Sequence, residues 1–315
     1  MKILVAGGAG FIGSNLMDQL LEQGQEVVCI DNFFIGTKEN IRHLEGNPAF
    51  RLYEQDLTDG SLLRKVFEKE QFEYVFHLAA NSDIQASAKK PEIEYQNTYT
   101  TTFQILECMR LYGVKKLFFA STSAVYGEKT EELLQETTTD LKPVSYYGAC
   151  KLGAEALLSA YSHMNGIDAL IFRFPNVIGP RLTHGVIYDF VHRLSENPSF
   201  LKILGDGTQS KPYIYIEDLI KAILFFMERM EPGVTLYNVG VEGQTSVTQI
   251  ADIVCEKMGL CGIPYQYTGG RIGWKGDVPR FQYDLSKIHK AGWRAKYCSD
   301  EAVIRTVEEV LQCRQ

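Results

Sequence analysis

A chain of 315 residues with a formal net charge of -7 and no long basic run can bury a full core. It lacks the electrostatic footprint expected for nucleic acid or an anionic membrane. No apolar run reaches the roughly 18 to 20 residues of a membrane span, and the amino terminus enters a strand at once, with no basic stretch before a cleavable apolar one. A soluble cytoplasmic protein without nucleic-acid or membrane partners is therefore expected.

Lys2–Ala6 reads as a buried strand and Phe11–Gln23 as a helix with Phe11, Ile12, Leu16, Leu20 and Leu21 along one side. Between them lies Gly7-Gly-Ala-Gly-Phe-Ile-Gly13, a glycine run that follows a strand and opens a helix. Glycines there permit a tight turn and close approach of a pyrophosphate, and the helix amino terminus favours anions, so a dinucleotide site is predicted. Asp31 closes the next strand, Glu26–Ile30, 18 residues after Gly13, the place of a carboxylate that accepts from the adenosine ribose hydroxyls. A carboxylate there repels a 2'-phosphate, which favours NAD over NADP. The next strand-like run starts at Phe50–Glu54, and Asp56 ends this third strand in a similar place, with two readings, a contact at the adenine edge or a turn residue before Thr58.

Further strands at Tyr74–Leu78, Lys116–Ala120 and Asp168–Phe174 alternate with helices at Gly60–Lys69, Pro91–Tyr112 and Val144–Met164. Strands buried on both faces and alternating with helices predict an α/β fold, a Rossmann-type doubly wound parallel sheet. After Pro175 the rhythm breaks into turn-rich segments, with helices at Ile216–Met230, Ser246–Met258 and Asp300–Gln312. The division expected is a cofactor domain over 1–175 and a smaller carboxyl-terminal α/β substrate lobe over 176–315, some chain crossing back to the sheet. The seven cysteines, Cys29, Cys108, Cys150, Cys255, Cys261, Cys298 and Cys313, form no Cys-x-x-Cys pair and have no His cluster near them. Neither a disulfide framework nor a metal site is expected, and most read as core thiols.

Tyr147 and Lys151 stand four apart, downstream of the hydroxyl-rich Ser121-Thr-Ser-Ala-Val-Tyr-Gly127, and on a helix they share one face. A phenol titrates near a pKa of about 10, and a nearby cation favours the phenolate. Tyr112 with Lys116 and Tyr283 with Lys287 have the same spacing, and Tyr146 is a rival by position.

Taken together, the glycine run, Asp31-Asn32, Asp56-Leu57, His77-Leu-Ala-Ala80, Ser87 before Pro91, Asn97, the Ser121–Gly127 run, Tyr147 with Lys151, Arg173-Phe-Pro-Asn176, Gly205-Asp-Gly-Thr-Gln209 and Gly276-Asp-Val-Pro279 resemble the extended short-chain dehydrogenases/reductases acting on nucleotide sugars, and among them the NAD-dependent sugar 4-epimerases. The resemblance covers nearly the whole chain. It implies Tyr147 as the base for a sugar hydroxyl, Lys151 as the group that binds the nicotinamide ribose and lowers the Tyr147 pKa, and Thr122 as the hydrogen-bonding partner of the reacting oxygen. It further implies NAD contacts from Gly7, Gly10, Phe11, Ile12, Gly13, Asp31, Asn32, Asp56, Leu57, Leu78, Ala79, Ala80, Asn97, Tyr147, Lys151, Phe174 and Pro175. For the nucleotide sugar it implies Ser82, Thr122, Ser123, Tyr147, Asn176, Val186, Lys211 and Asp277, with Phe281 near the sugar, and a homodimer built on the helices near 91–112 and 144–164. Among the rival tyrosines, Tyr112 ends a helix while Lys116 is already in the next strand. Tyr283 and Lys287 lie far along the chain, and Tyr146 has Cys150 where Tyr147 has Lys151.

Related dehydratases and decarboxylases carry a carboxylate just after the catalytic hydroxyl, where this chain has Ser123 and Ala124. Without that acid, loss of water from the sugar is not expected. The expectation is an NAD-dependent nucleotide-sugar 4-epimerase of UDP-hexose type working through a transient 4-keto intermediate. The alternatives are a 4-dehydrogenase or ketoreductase without inversion, and a catalytically silent NAD-binding module, which would have no need of Thr122, Tyr147 and Lys151 together.

Overall fold

Seven strands form the central sheet: Lys2–Ala6 (β1), Glu26–Asp31 (β2), Phe50–Glu54 (β3), Tyr74–His77 (β4), Lys116–Thr122 (β5), Asp168–Phe174 (β6) and Val234–Asn238 (β7), in the order β7-β6-β5-β4-β1-β2-β3. They are seen in a computed structural model that describes residues 1–129 and 132–312. The pairs β1–β2, β2–β3, β1–β4 and β4–β5 are parallel. Strand order reverses between β1 and β4, the place where doubly wound sheets open a ligand crevice.

Alternation along the strands sends side chains to two buried faces. Leu4, Val28, Val75, Phe119 and Ile171 join Leu63, Val66, Ile105 and Leu158 in one core. These come from helices α2 (Gly60–Glu70), α5 (Thr101–Tyr112) and α6 (Tyr146–Asn165). Ile3, Val5, Cys29 and Phe118 are buried on the opposite side, as are Leu16, Met17 and Leu20 of α1 (Phe11–Glu22), a helix that packs on β1 and β2. Local signals set the helix ends: Asp59 caps α2, the Ser145 hydroxyl accepts from Gly148 N at the start of α6, and Gly166 (φ 62°) ends it.

The chain divides into two compact units. The first comprises Met1–Val125, Ser145–Arg173 and Ile223–Tyr237; the second comprises the described residues of Tyr126–Val144, Phe174–Ala222 and Asn238–Gln315. In the second unit Asn176–Ile178 pairs in parallel with Tyr213–Tyr215, and Leu201–Ile203 with Tyr265–Tyr267. Helices Val186–Glu196, Val247–Lys257 and Ser299–Gln312 pack together, the middle one opened by a capping box from Ser246 and Gln249.

Several elements depart from expectation. β3 is not buried on both faces; Arg51, Leu52 and Glu54 are exposed because it is the sheet edge. Asp56 lies two residues beyond the end of β3 rather than at it. The helix expected over 91–112 is α4 (Glu92–Glu94), a π turn over Tyr95–Thr100, then α5. Threonine hydroxyls explain the wide turn: Thr101 Oγ1 donates to Asn97 O at 2.8 Å and Thr102 Oγ1 to Thr98 O at 2.7 Å, competing with backbone donors. A short helix, α3 (Ile84–Lys89), capped by Asp83, and the strand β7 were not anticipated. Cys29, Cys108 and Cys255 are buried, Cys150 and Cys298 partly so, and Cys261 is exposed; Cys313 lies outside the described residues. Among the described residues no His, Cys, Asp and Glu group is arranged to hold a metal ion.

Candidate active site

The β1–α1 turn is shaped by backbone crowding. Gly7 has φ 82°, and a Cβ on it would stand 2.6 Å from Ala79 N, so the turn lies directly on the chain leaving β4. A Cβ on Gly13 would meet Gly8 Cα at 2.7 Å, whereas one on Gly10 has only Gly7 O near it, at 3.3 Å. Gly10 caps α1 with no side-chain hydrogen bond, and no acid occupies the first turn. The helix therefore presents backbone N–H groups beside an open glycine, which fits a pyrophosphate.

Asp31, at the end of β2, is buried. Its Oδ2 accepts from Ala9 N at 2.9 Å and its Oδ1 from Phe33 N at 2.8 Å, fixing the carboxylate beside the glycine turn. Burial pushes its pKa up, and those two N–H donors oppose the shift. Asn32 Nδ2 donates to Asp56 Oδ2 at 3.1 Å, while Asp56 Oδ1 accepts from Thr58 N and Oγ1. Asp56 is thus a turn residue that also ties down Asn32. Leu57 is buried in the core, and Leu78, Ala79 and Ala80 lie partly buried just beyond β4. Phe11 and Ile12 are partly buried at the start of α1, and Asn97 sits in the π turn.

Thr122 ends β5 and Tyr147 is the second residue of α6. Their side chains are hydrogen-bonded, and Thr122 Oγ1 also accepts from Ala124 N at 3.2 Å. Lys151, one turn along α6, is 1% exposed; its Nζ donates to Ala120 O at 2.7 Å and lies 4.7 Å from the Phe119 ring centre and 5.9 Å from that of Tyr147. The rivals are elsewhere: Tyr146 is 51% exposed, and Tyr112 and Lys116 belong to a helix end and a strand start. Burial lowers the Lys151 pKa to about 8, partly opposed by the carboxylates of Glu94 and Glu155. Burial raises the Tyr147 phenol above its ordinary value, the charge of Glu94 adds to the shift, and the Thr122 bond opposes it.

Sequence reasoning missed that carboxylate and a second network. The Glu155 side chain on α6 receives Arg173 Nε at 3.0 Å and Nη2 at 2.5 Å, and the Ser121 hydroxyl besides. This buried pair ties α6 to β5 and β6. Of the implied sugar contacts in the first unit, Ser123 follows Thr122 in a 3-10 turn, and Ser82 is exposed between β4 and α3.

In the second unit Lys211 Nζ pairs with Asp277 Oδ1 at 2.5 Å, and Gly273 N donates to Asp277 Oδ2. Asn176 is hydrogen-bonded to the buried Tyr213, whose phenol is raised by burial with the Asp277 charge adding to it. Asn176, Lys211, Asp277 and the unforeseen Tyr213 thus form one polar cluster. Val186 stands partly buried at the start of its helix, Phe174 and Pro175 are buried, and Phe281 is buried with its ring 5.4 Å from that of Tyr283.

The profile of the NAD dependent epimerase/dehydratase family matches residues 3–240. The UDP-glucuronate 4-epimerase of Thermodesulfobacterium geofontis is 31% identical over 96% of this chain and 94% of its own. Among solved structures, the UDP-glucose 4-epimerase of Thermotoga maritima, with UDP-glucose, superposes with a TM-score of 0.90 at 32% identity, covering 100% of both chains. The dTDP-glucose 4,6-dehydratase DesIV of Streptomyces venezuelae, with NAD bound, gives 0.91 at 27% identity, over 100% of this chain and 98% of its own.

Proposed function

The chain belongs to the NAD dependent epimerase/dehydratase family, and we propose that within it this protein is a nucleotide-sugar 4-epimerase acting on UDP-hexoses through a transient 4-keto sugar. The observation that carries the reading is the Thr122–Tyr147–Lys151 constellation followed by Ser123 and Ala124. Tyr147 takes the proton of the sugar C4 hydroxyl and returns it after the ring has presented its other face, while Thr122 holds the same oxygen. NAD, when bound, supplies the acceptor and donor of a hydride. With no carboxylate directly after Thr122, this strand end offers no acid to expel water from the neighbouring sugar carbons, which separates the proposed reaction from that of the dehydratases sharing this fold. Asn176, Lys211 and Asp277 are assigned to the nucleotide diphosphate, and Asp31 to the adenosine ribose of NAD.

A homodimer belongs to the same reading. It is supported by Tyr95, Phe103 and Leu111, and by Tyr146 and Met164 of α6, which are between 41% and 76% exposed.

The test incubates the protein with UDP-, GDP- and CDP-hexoses, following C4 configuration by proton NMR and absorbance near 340 nm. Inversion of a UDP-hexose without lasting reduced cofactor is expected; accumulation of NADH with a 4-keto product overturns the proposal in favour of plain oxidation. Tyr147→Phe is expected to lower kcat by roughly 10²- to 10⁴-fold, the range for a positioned acid-base group, with NAD affinity retained.

A further inference from the structure

Ala9 lies in the middle of the glycine turn and is held from both sides by one stretch of chain. Its N–H donates to Asp31 Oδ2 at 2.9 Å, which fixes the Gly8–Ala9 peptide plane. Its carbonyl accepts twice, from Thr37 N at 3.1 Å and from Asn40 Nδ2 at 2.9 Å, which fixes the Ala9–Gly10 plane. All three partners belong to residues 31–40, the chain that leaves β2 and enters a 3-10 helix over Lys38–Leu44.

This stretch is itself well anchored. A Cβ on Gly36 would stand 2.8 Å from the carbonyl carbon of Ala9, so glycine is what lets the two backbones approach. Asn40 N donates to Thr37 O at 3.2 Å, Lys38 Nζ pairs with Glu54 of β3 at 2.7 Å, and His43 Nε2 meets Asp18 Oδ1 of α1 at 2.7 Å. Ile41 and Leu44 are buried.

The glycine turn has little of its own to hold the Ala9–Gly10 peptide. Gly10 N reaches Gly7 O only at 3.3 Å, and the missing side chain of Gly10 leaves the peptide free to rotate. Rotation would exchange the Gly10 N–H for the Ala9 carbonyl, setting an oxygen dipole where a donor stands. Gly10 is also the N-cap of α1, and its carbonyl receives Ser14 N at 3.0 Å. The unpaired N–H groups of the first turn therefore take their direction from this plane. Among the described residues the Asn40 side chain bonds nothing but Ala9 O.

We propose that Asn40 is a positioning residue for the cofactor pyrophosphate: by holding the Ala9 carbonyl against the 37–40 stretch, it keeps the turn in the one arrangement that presents the first N–H groups of α1 together. It acts through the turn and not on the anion. The role rests on NAD binding alone and is independent of which sugar is turned over.

The test compares the full chain with Asn40→Ala and with Asn40→Leu, which keeps the side-chain volume without the donor. Dissociation constants for NAD and ADP are measured by isothermal titration, those for adenosine by ligand-observed NMR, and thermal unfolding is followed alongside. In both variants NAD and ADP are expected to bind about 3- to 10-fold more weakly, the range for one net hydrogen bond. Adenosine, which carries no phosphate, is expected to keep its affinity, and the unfolding midpoint to stay with that of the parent. Unchanged binding of NAD and ADP overturns the inference. Equal losses for ADP and adenosine overturn it as well, since they show a stretch loosened as a whole and Asn40 as a packing residue. A parent protein that turns over no nucleotide sugar removes the proposed reaction and leaves these constants as the judge of Asn40.

Discussion

Lys151 shows how far this protein departs from its most stable form. Its pKa falls from 10.5 to about 8 because an ammonium is held out of water, which corresponds to on the order of 3 kcal/mol against folding near neutral pH. The sign follows from proton counting: between about pH 8 and 10.5 the unfolded chain binds the proton more readily than the folded one, so stability rises with pH across that window. Lys151→Met removes the penalty but leaves Ala120 O without its donor. It is expected to stabilise the protein by roughly 1–3 kcal/mol at pH 7, with an advantage that shrinks toward pH 10, while the proposed epimerisation is lost. Urea denaturation at the two pH values checks both parts. A variant less stable than the parent at pH 7 would show that the Ala120 bond outweighs desolvation.

Among the elements, the β1–α1 turn is the least forgiving. Gly7→Ala would combine φ 82° with a Cβ 2.6 Å from the backbone nitrogen of Ala79, forcing the turn away from β4. A loss of roughly 1–3 kcal/mol is expected, together with weaker NAD binding measured by cofactor fluorescence, because the helix amino terminus moves with the turn. This turn was legible in the sequence because its requirements are local: glycines at fixed spacing, a strand before and a helix after. Tyr147 stood out for a related reason, since one helical turn joins it to Lys151 and the preceding strand end supplies Thr122. Glu94 did not, because its burial depends on Asn81 and Ser87 from a different segment. Its position was also obscured by a π turn, arising from competition among Thr98, Thr101 and Thr102 that periodicity does not record. Tyr213 escaped notice because only the pairing of Tyr213–Tyr215 with Asn176–Ile178 brings it to Asn176.

At the scale of the whole molecule, the proposed homodimer makes a direct prediction. Phe103 is 41% exposed on α5, and Tyr95 and Tyr99 stack beside the same stretch with centres 5.9 Å apart. Phe103→Asp places a charge on that apolar face and is expected to convert a dimer to monomer in light scattering coupled to size exclusion; an unchanged mass would place the contact elsewhere. β7 carries a consequence for how the protein is made. It completes the sheet beside β6 but is encoded only at Val234–Asn238, after the chain has left the sheet at Phe174. At about 5–20 residues per second, a ribosome needs roughly 3–13 seconds to supply it. Throughout that interval the nascent chain carries β6, with Ala169, Leu170, Ile171 and Phe172 fully formed in sequence and one backbone edge still without its neighbour. Protection of that edge during synthesis, by a chaperone or by delayed docking of β6, is a demand placed on the cell by the order in which the gene spells out the strands.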